Sequence, residues 1–257
     1  MSSRVRLDRL LVDRGLAESR EKAQALIMAG EVLVDGRRVD KAGRSFPRDV
    51  KIEVIGQACP YVSRGGLKLE GALDAFGLSV KDKVVADLGA STGGFTHCLL
   101  SKGAKRVYAV DVGYGQLHWK LRQDPRVVVM ERVNARYLEP SVFGEMMDLV
   151  VADLSFISLT LVLPAIARIL RPGGEALLLV KPQFEVGRDR VGKGGVVKDE
   201  KDRLMALNKV KQAAQALGFR PMGWMDSPVP GAKKGNVEIF LHLRLPKKLS
   251  EDRLGGL

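Results

Sequence analysis

Four apolar segments of this sequence each end at a charged residue. They are residues 84–86 before Asp87, 107–110 before Asp111, 149–152 before Asp153, and 176–180 before Lys181. In an open parallel α/β sheet, ligands bind beyond the carboxyl ends of the strands, so these four side chains are expected to converge on one site. A single aspartate at such a position is often only a helix N-cap. Four charged ends together, one of them a lysine, favour a site that does chemistry.

The first of these ends opens a glycine-rich segment, DLGASTGGFT, over residues 87–96. Glycines between a strand and a helix let the backbone approach a ligand closely. The spacing is not Gly-x-Gly-x-x-Gly, and no Gly-Lys-Ser/Thr follows, which argues against a dinucleotide and against a P-loop nucleotide. Asp111 lies 22 residues after Gly89, where a carboxylate can accept hydrogen bonds from both ribose hydroxyls. The pattern predicts an adenosine cofactor without a pyrophosphate, and S-adenosylmethionine (SAM) is that molecule.

The predicted cofactor-binding residues are Asp87, Gly89, Ala90, Ser91, Thr92, Gly93, Gly94, Asp111 and Asn134. Asn134 follows a third strand, 127–130, and its amide either contacts an adenine edge or closes a turn. Beyond Lys181, a basic and glycine-rich stretch over 188–198 either closes over RNA phosphates or is a solvated surface loop.

The elements that must position these residues begin near Gly66, where helical segments start to alternate with apolar strands. This alternation is typical of a parallel α/β sheet. A last strand alternates at Val237, Ile239, Leu241 and Leu243, with Glu238 on the opposite face, and is expected to insert antiparallel. The predicted domains are a small N-terminal domain over 1–57, a linker over 58–65, the sheet domain over 66–246 and a tail over 247–257. Gly65-Gly66 indicates irregular backbone at the join.

The N-terminal domain is predicted to be a small α+β unit. Leu7, Leu10 and Leu11 fit one helix, Ser19 is the N-cap of a second, and Asp35-Gly36 predicts a type I′ hairpin turn. With its basic residues, this pattern resembles the S-four RNA-binding domain. The predicted RNA-binding residues are Arg9, Arg14, Arg20, Lys22, Arg37 and Arg38. Because acidic residues are interspersed among them, the alternative is that these charges only solvate the domain.

Composition limits the partners and the compartment. The chain has 257 residues, and 42 Lys and Arg against 30 Asp and Glu give a net charge of +12, which favours polyanions such as nucleic acid or anionic lipid. Two cysteines, Cys59 and Cys98, supply neither a disulfide framework nor a four-ligand zinc site, and free thiols suit a reducing compartment. We expect no membrane span, no secretory signal and no bound metal. A cytoplasmic protein is therefore predicted.

Five segments follow in order behind the N-terminal domain: YVSRGGLKL, DLGASTGGFT, ADLSFISL, LVKPQFE and GNVE. Together they resemble the TlyA family, often labelled hemolysin, over nearly the whole chain. The resemblance implies a Rossmann-like, FtsJ-like methyltransferase sheet, SAM as cofactor, and 2′-O-methylation of ribosomal RNA or ribosomal subunits. The Lys-Asp-Lys-Glu tetrad of the family falls on Lys68, Asp153, Lys181 and Glu238. The linker, GQACPYVSRGG, departs from some members by lacking their aromatic sequence.

The chemistry of such a tetrad suits this reaction. A ribose hydroxyl is a poor nucleophile, so the site must orient an in-line displacement and favour partial alkoxide character in the oxygen. Lys181 can do this as a neutral base or as a cationic donor, and the sequence leaves both open.

Two functions other than methyl transfer stay open. One is a non-catalytic RNA-binding or ribosome assembly factor, and the other is a membrane-lytic hemolysin, which needs an exposed amphipathic or spanning segment. The target nucleotide and the oligomeric state are not readable from the sequence.

Overall fold

The computed structural model describes residues 4–54, 59–230 and 236–247. The chain divides into two units, Met1–Cys59 and Pro60–Leu257, which we name the N-terminal unit and the C-terminal unit. Residue 58 of the predicted linker lies outside the described residues, as does the predicted tail from residue 248 onwards.

The N-terminal unit is a small α+β fold. Its elements are β1 (Arg4–Arg6), α1 (Leu7–Asp13), α2 (Arg20–Met28), β2 (Val32–Val34), β3 (Arg37–Arg38), β4 (Ser45–Pro47) and β5 (Ile52–Val54). Strands β3, β2 and β5 form one antiparallel sheet, and β1 pairs with β4. The fully buried side chains of Leu7, Leu11 and Ile27 form the centre of its core.

Two predicted local signals of this unit are confirmed. The side chain of Ser19 accepts the backbone N–H of Lys22 and so caps α2. Asp35 and Gly36, between β2 and β3, have φ angles of +48° and +74°, as a type I′ turn requires. The β1–β4 pair was not predicted, because two three-residue strands separated by about 40 residues leave no periodic signal.

The C-terminal unit alternates strands and helices. Its elements are α3 (Gly65–Ala75), β6 (Val84–Leu88), α4 (Gly94–Ser101), β7 (Arg106–Asp111), α5 (Trp119–Arg122), β8 (Val127–Glu131), β9 (Met147–Ala152), α6 (Leu163–Ile169), β10 (Leu170–Val180), α7 (Pro182–Glu185), α8 (Glu200–Ala216), β11 (Arg220–Asp226) and β12 (Ile239–Arg244). Short 3₁₀ turns lie at Ala135–Tyr137, Pro140–Val142, Leu159–Leu161 and Arg188–Arg190.

The strands form a seven-stranded sheet in the order β11-β12-β10-β9-β6-β7-β8. Strands β6 to β10 are parallel, whereas β12 is antiparallel to both of its neighbours. The predicted α/β class and the antiparallel last strand are confirmed. The chain runs from β6 outwards through β7 and β8, then returns to place β9 on the other side of β6. Ligands of open α/β sheets bind at such a switch point, beyond the carboxyl ends of β6 and β9.

The join between the domains differs from its prediction. Gly65 and Gly66, predicted to be irregular, are the first residues of helix α3. A Cβ on Gly66 would overlap the ring of Tyr61, so glycine is needed there for close packing rather than for a break in the helix. The sequence signal was genuine, but its physical cause is a contact that only the folded chain contains.

The end of the sheet also differs in part. Strand β12 begins at Ile239, so Val237 precedes it, and β12 is buried on both faces rather than alternating. The reason is its position between β10 and β11. Strand β11 was not predicted, because Pro221 and Gly223 interrupt its pattern, and both residues are tolerated at the edge of a sheet.

Candidate active site

The loop between β6 and α4 places the glycine-rich segment at the carboxyl end of the sheet. Gly89 has a φ of +83°, and a Cβ there would lie 2.6 Å from the carbonyl oxygen of Asp153. Only glycine satisfies both conditions. The predicted cofactor segment is therefore packed directly against the residue that follows β9.

Asp111 is the last residue of β7, and its carboxylate is fixed by two backbone donors. Oδ2 accepts the N–H of Ser91 at 2.8 Å, and Oδ1 accepts the N–H of Gly113 at 2.7 Å. Each carboxylate oxygen has a second lone pair, so both can still accept hydrogen bonds from a ligand. The glycine-rich segment and the end of β7 thus form one rigid corner.

Asp111 lines a cavity of 510 Å³, which we name the Asp111 cavity. Asn134 lines it too, and its Oδ1 accepts the backbone N–H of Arg136 at 3.0 Å, so it also closes a turn. Both interpretations of Asn134 are compatible with this position. Other walls are apolar, among them Val110, Val133 and Ile157. An acidic residue, an amide and apolar walls suit a nucleoside.

A second cavity of 340 Å³, named the Lys68 cavity, shares Gly89, Ser91 and Asp153 with the first. From the glycine-rich segment it is lined by Gly89, Ala90, Ser91, Thr92, Gly94 and Phe95. Of the predicted cofactor-binding residues, Asp87 and Gly93 line neither of these two cavities. Two adjoining cavities that meet at Asp153 offer space for two ligand groups side by side.

Asp87 does not lie where the sequence placed it. Strand β6 continues through Leu88, which pairs with Val110 and Ala152, so Asp87 is inside the strand rather than beyond its end. Its side chain is fully buried and accepts the hydroxyl of Thr96 in α4 at 2.6 Å. Burial raises the pKa of Asp87 to about 7, and the charges of Asp153 and Asp111 act in the same direction.

The four predicted tetrad residues form two ion pairs. Nζ of Lys68 lies 2.6 Å from Oε2 of Glu238, and Nζ of Lys181 lies 2.6 Å from Oδ1 of Asp153. Both lysine side chains are only 11% exposed, so solvent screens these pairs weakly. Helix α3 carries Lys68, and the other three follow β9 and β10 or precede β12. Residues up to 170 positions apart in sequence are therefore brought into contact.

Two residues near this cluster were missed. Ser155 accepts a hydrogen bond from Lys181 Nζ at 2.9 Å. Phe156 has a φ of +65°, which is strained for an aromatic residue, and its side chain is 93% exposed beside the Asp111 cavity. The sequence signals were the position of both residues shortly after a charged strand end and their place in the ADLSFISL segment.

The six predicted RNA-binding residues of the N-terminal unit are all exposed. Two of them also stabilise that unit. Arg14 donates to the carbonyl of Val50 at 2.7 Å, and Arg20 lies 3.1 Å from the buried carboxylate of Asp8. Hydrogen bonds from arginines hold the pKa of Asp8 well below its usual range. Arg37 and Arg38, on β3, form no ion pair within the part of the chain that the structure describes, and so remain available to phosphates.

In the described ranges, no helix has both the length and the apolar character needed to cross a membrane. Nor do three or more His, Cys, Asp or Glu side chains of those ranges come together as a metal site.

The site lies at the switch point of the sheet and contains a glycine-rich loop, and the last strand of the sheet is antiparallel. These features are typical of methyltransferase folds. Residues 61–245 match the FtsJ-like methyltransferase family, and residues 5–46 match the S4 domain. TlyA of Mycobacterium tuberculosis, named a 16S/23S rRNA (cytidine-2′-O)-methyltransferase, is 51% identical over 95% of this chain and 91% of its own. Hemolysin A of Brachyspira hyodysenteriae is 44% identical over 93% and 99%.

A solved structure from Streptococcus thermophilus is 46% identical, with a TM-score of 0.76 over 96% of this chain and 90% of that one. Both units are therefore shared with these proteins. The chain belongs to the TlyA family of FtsJ-like methyltransferases with an N-terminal S4 domain.

Proposed function

We propose that this protein transfers the methyl group of SAM to a ribose 2′-hydroxyl of ribosomal RNA. The observation that carries the proposal is the pair of lysine–carboxylate contacts, Lys68–Glu238 and Lys181–Asp153, beside the glycine-rich loop at the switch point of the sheet. The 51% identity to a relative named as an rRNA 2′-O-methyltransferase supports it.

The residues of the Asp111 cavity fit the cofactor. The carboxylate of Asp111 suits the two ribose hydroxyls, and the apolar walls around Asn134 suit an adenine ring. When bound, SAM supplies a methyl group on a positively charged sulfur. We expect Asp111→Ala to weaken SAM binding by about 1–3 kcal/mol, because hydrogen-bonded polar groups lose their partner. Calorimetric titration measures this, with Asp74→Ala on the exposed side of α3 as the control.

Residues that line the Lys68 cavity, together with Lys181, which is paired with Asp153 of that cavity, supply the remaining chemistry. Lys181 is held by Asp153 and Ser155 beside this cavity. As a cationic donor it would stabilise partial negative charge on the attacking 2′-oxygen while the hydroxyl proton passes to solvent, and as a neutral base it would take that proton itself. Lys68 lines the same cavity as Asp153, and its pairing with Glu238 fixes it there to orient the target ribose.

The RNA substrate is supported by the N-terminal unit. An S4 domain with six exposed basic residues provides phosphate contacts, and the overall charge of +12 adds a general attraction. The test is to incubate ribosomal RNA and isolated subunits with the protein and labelled SAM, then to map ribose methylation. RNA binding without methyl transfer would instead favour the non-catalytic assembly factor.

A further inference from the structure

Two loops meet beyond the carboxyl ends of β9 and β10. The 153–158 loop follows β9, and the segment that follows β10 contains Lys181 and helix α7. Lys181 joins them at one end, through its ion pair with Asp153 and its hydrogen bond to Ser155. This junction is the proposed reaction centre.

Glu185, the last residue of α7, joins the same two segments a second time. Its carboxylate accepts the hydroxyl of Ser158 at 2.5 Å and the backbone N–H of Leu159 at 2.7 Å. Between the two junctions, the rings of Phe156 and Phe184 lie with their centroids 5.3 Å apart. The two segments are therefore linked along their whole length.

The carboxylate of Glu185 is buried and hydrogen-bonded. The residue is only 4% exposed, and a buried carboxylate is costly unless it is hydrogen-bonded. Burial raises the pKa of Glu185, while the two donors and Lys209 of α8, whose Nζ lies 3.7 Å from Oε2, lower it. Lys209 also donates to the backbone carbonyl of Glu185 at 2.7 Å, which anchors α7 to α8.

The 153–158 loop needs such a support. It contains no helix or strand, and Phe156 within it holds a strained positive φ angle. Strained backbone persists only where surrounding contacts over-determine it. Glu185, on a short helix that begins immediately after Lys181, contacts Ser158 at the end of this loop and Leu159 directly after it.

We propose that Glu185 is a positioning residue that holds the 153–158 loop against Lys181 during methyl transfer. The inference rests on the proposed function. Because Asp153 and Ser155 aim the ammonium of Lys181, a shift of the loop by about 1 Å moves that ammonium away from the reacting oxygen, and misplacement of this size costs rate.

The experiment compares three full-length variants with the wild type. Glu185→Leu removes both acceptors, and Glu185→Gln keeps the shape and one acceptor oxygen. Leu243→Ala is the control, since Leu243 is fully buried near the far end of β12 and its loss destabilises the fold away from both loops. Hydrogen–deuterium exchange of residues 153–161, SAM affinity by calorimetry, and single-turnover methylation of ribosomal RNA are measured for each.

We expect Glu185→Leu to speed exchange in 153–161 and to lower the single-turnover rate by about 10-fold to 100-fold, more than it weakens SAM binding. Glu185→Gln is expected to fall between Glu185→Leu and the wild type, and Leu243→Ala to change neither loop exchange nor rate. Faster exchange at a wild-type rate would reduce Glu185 to a structural role. Unchanged exchange would show that Glu185 does not hold the loop. If the wild type itself does not methylate RNA, the proposed function fails with the rate claim, and the exchange result still decides whether Glu185 holds the loop.

Discussion

At the scale of single residues, Lys181 is held in place by two side chains. Its two partners, Asp153 and Ser155, both lie on the loop that follows β9. A carboxylate and a hydroxyl on one side leave the remaining donor of the ammonium free to face a substrate oxygen. This arrangement is suited to stabilising developing negative charge more than to binding a ligand in its ground state.

We therefore expect Lys181→Ala to lower the single-turnover methylation rate by at least about 100-fold with little change in SAM or RNA affinity. Lys181→Arg is not expected to restore the rate, because a guanidinium neither gives up its proton nor matches the geometry of an ammonium. Rates at saturating SAM and RNA check this, with Lys81→Ala, exposed before β6, as the control. A wild-type rate in Lys181→Ala would exclude this role.

Phe156 exposes nearly its whole side chain beside the Asp111 cavity, at a backbone conformation that aromatic residues avoid. Stacking on an unpaired base is worth about 1–3 kcal/mol, so we expect Phe156→Ala to weaken RNA-dependent turnover by that amount. The thermal stability should not fall, because little apolar surface is lost from the interior. Steady-state kinetics with RNA as the varied substrate and a melting curve test both parts. Phe156→Tyr should stay near the wild type, and equal loss in both variants would argue against stacking.

At the scale of elements, strand β6 contains a carboxyl group where a parallel strand is normally apolar. Asp87 is fully buried, with Thr96 as its hydroxyl partner and Asp111 and Asp153 as nearby like charges. The carboxyl end of the same strand opens the loop that is proposed to bind the cofactor. The cost of burying Asp87 has a definite dependence on pH.

Burial raises the pKa of Asp87 to about 7, above its unfolded value of 3.8. Its contribution to stability is therefore fully present below the unfolded pKa and is lost as the pH rises through about 7. We expect Asp87→Asn, which cannot ionise, to become more stable relative to the wild type as the pH rises from about 5 to 8, because only the wild type loses stability over this range. Denaturant unfolding at several pH values measures this difference. A difference that is constant with pH would mean that Asp87 does not titrate in this range.

At the scale of the whole molecule, the chain combines two units with separate cores. The basic residues proposed to bind RNA lie in the N-terminal unit, and the residues proposed to bind the cofactor, with the tetrad, lie in the C-terminal unit. Recognition and chemistry are therefore expected to be separable.

Removing residues 1–56 is expected to leave SAM binding unchanged and to weaken RNA binding, with a smaller dependence of the RNA affinity on salt, because phosphate contacts are lost. Calorimetry with SAM and RNA titrations at several salt concentrations measure both. The double variant Arg37→Ala/Arg38→Ala is the milder comparison, since both side chains are exposed on β3. A truncated protein that binds and methylates RNA as well as the full chain would assign the N-terminal unit another role.

Local signals alone determined much of this protein. Ser19 as a cap, Asp35-Gly36 as a turn and the strands that end at Asp111, Asp153 and Lys181 could all be predicted, because each depends on the residues next to it. The switch-point location of the site followed from strand ends, since parallel strands present those ends at one edge. The strand ends singled out Asp153 and Lys181, whereas the tetrad as a set came from a family resemblance. The structure places its members in two pairs.

Only the tertiary structure decided which groups touch. It pairs Lys68 with Glu238 and Lys181 with Asp153, turns Asp87 away from the cavities, and adds Ser155, Phe156 and Glu185 to the surroundings of the site. Edge strand β11 and the glycines of α3 were likewise settled by packing. The physical reason is the same in each case. Periodicity in the sequence shows which face of a helix or strand is apolar. A contact between residues that are distant in sequence depends on how the elements pack together, and no local pattern specifies that packing.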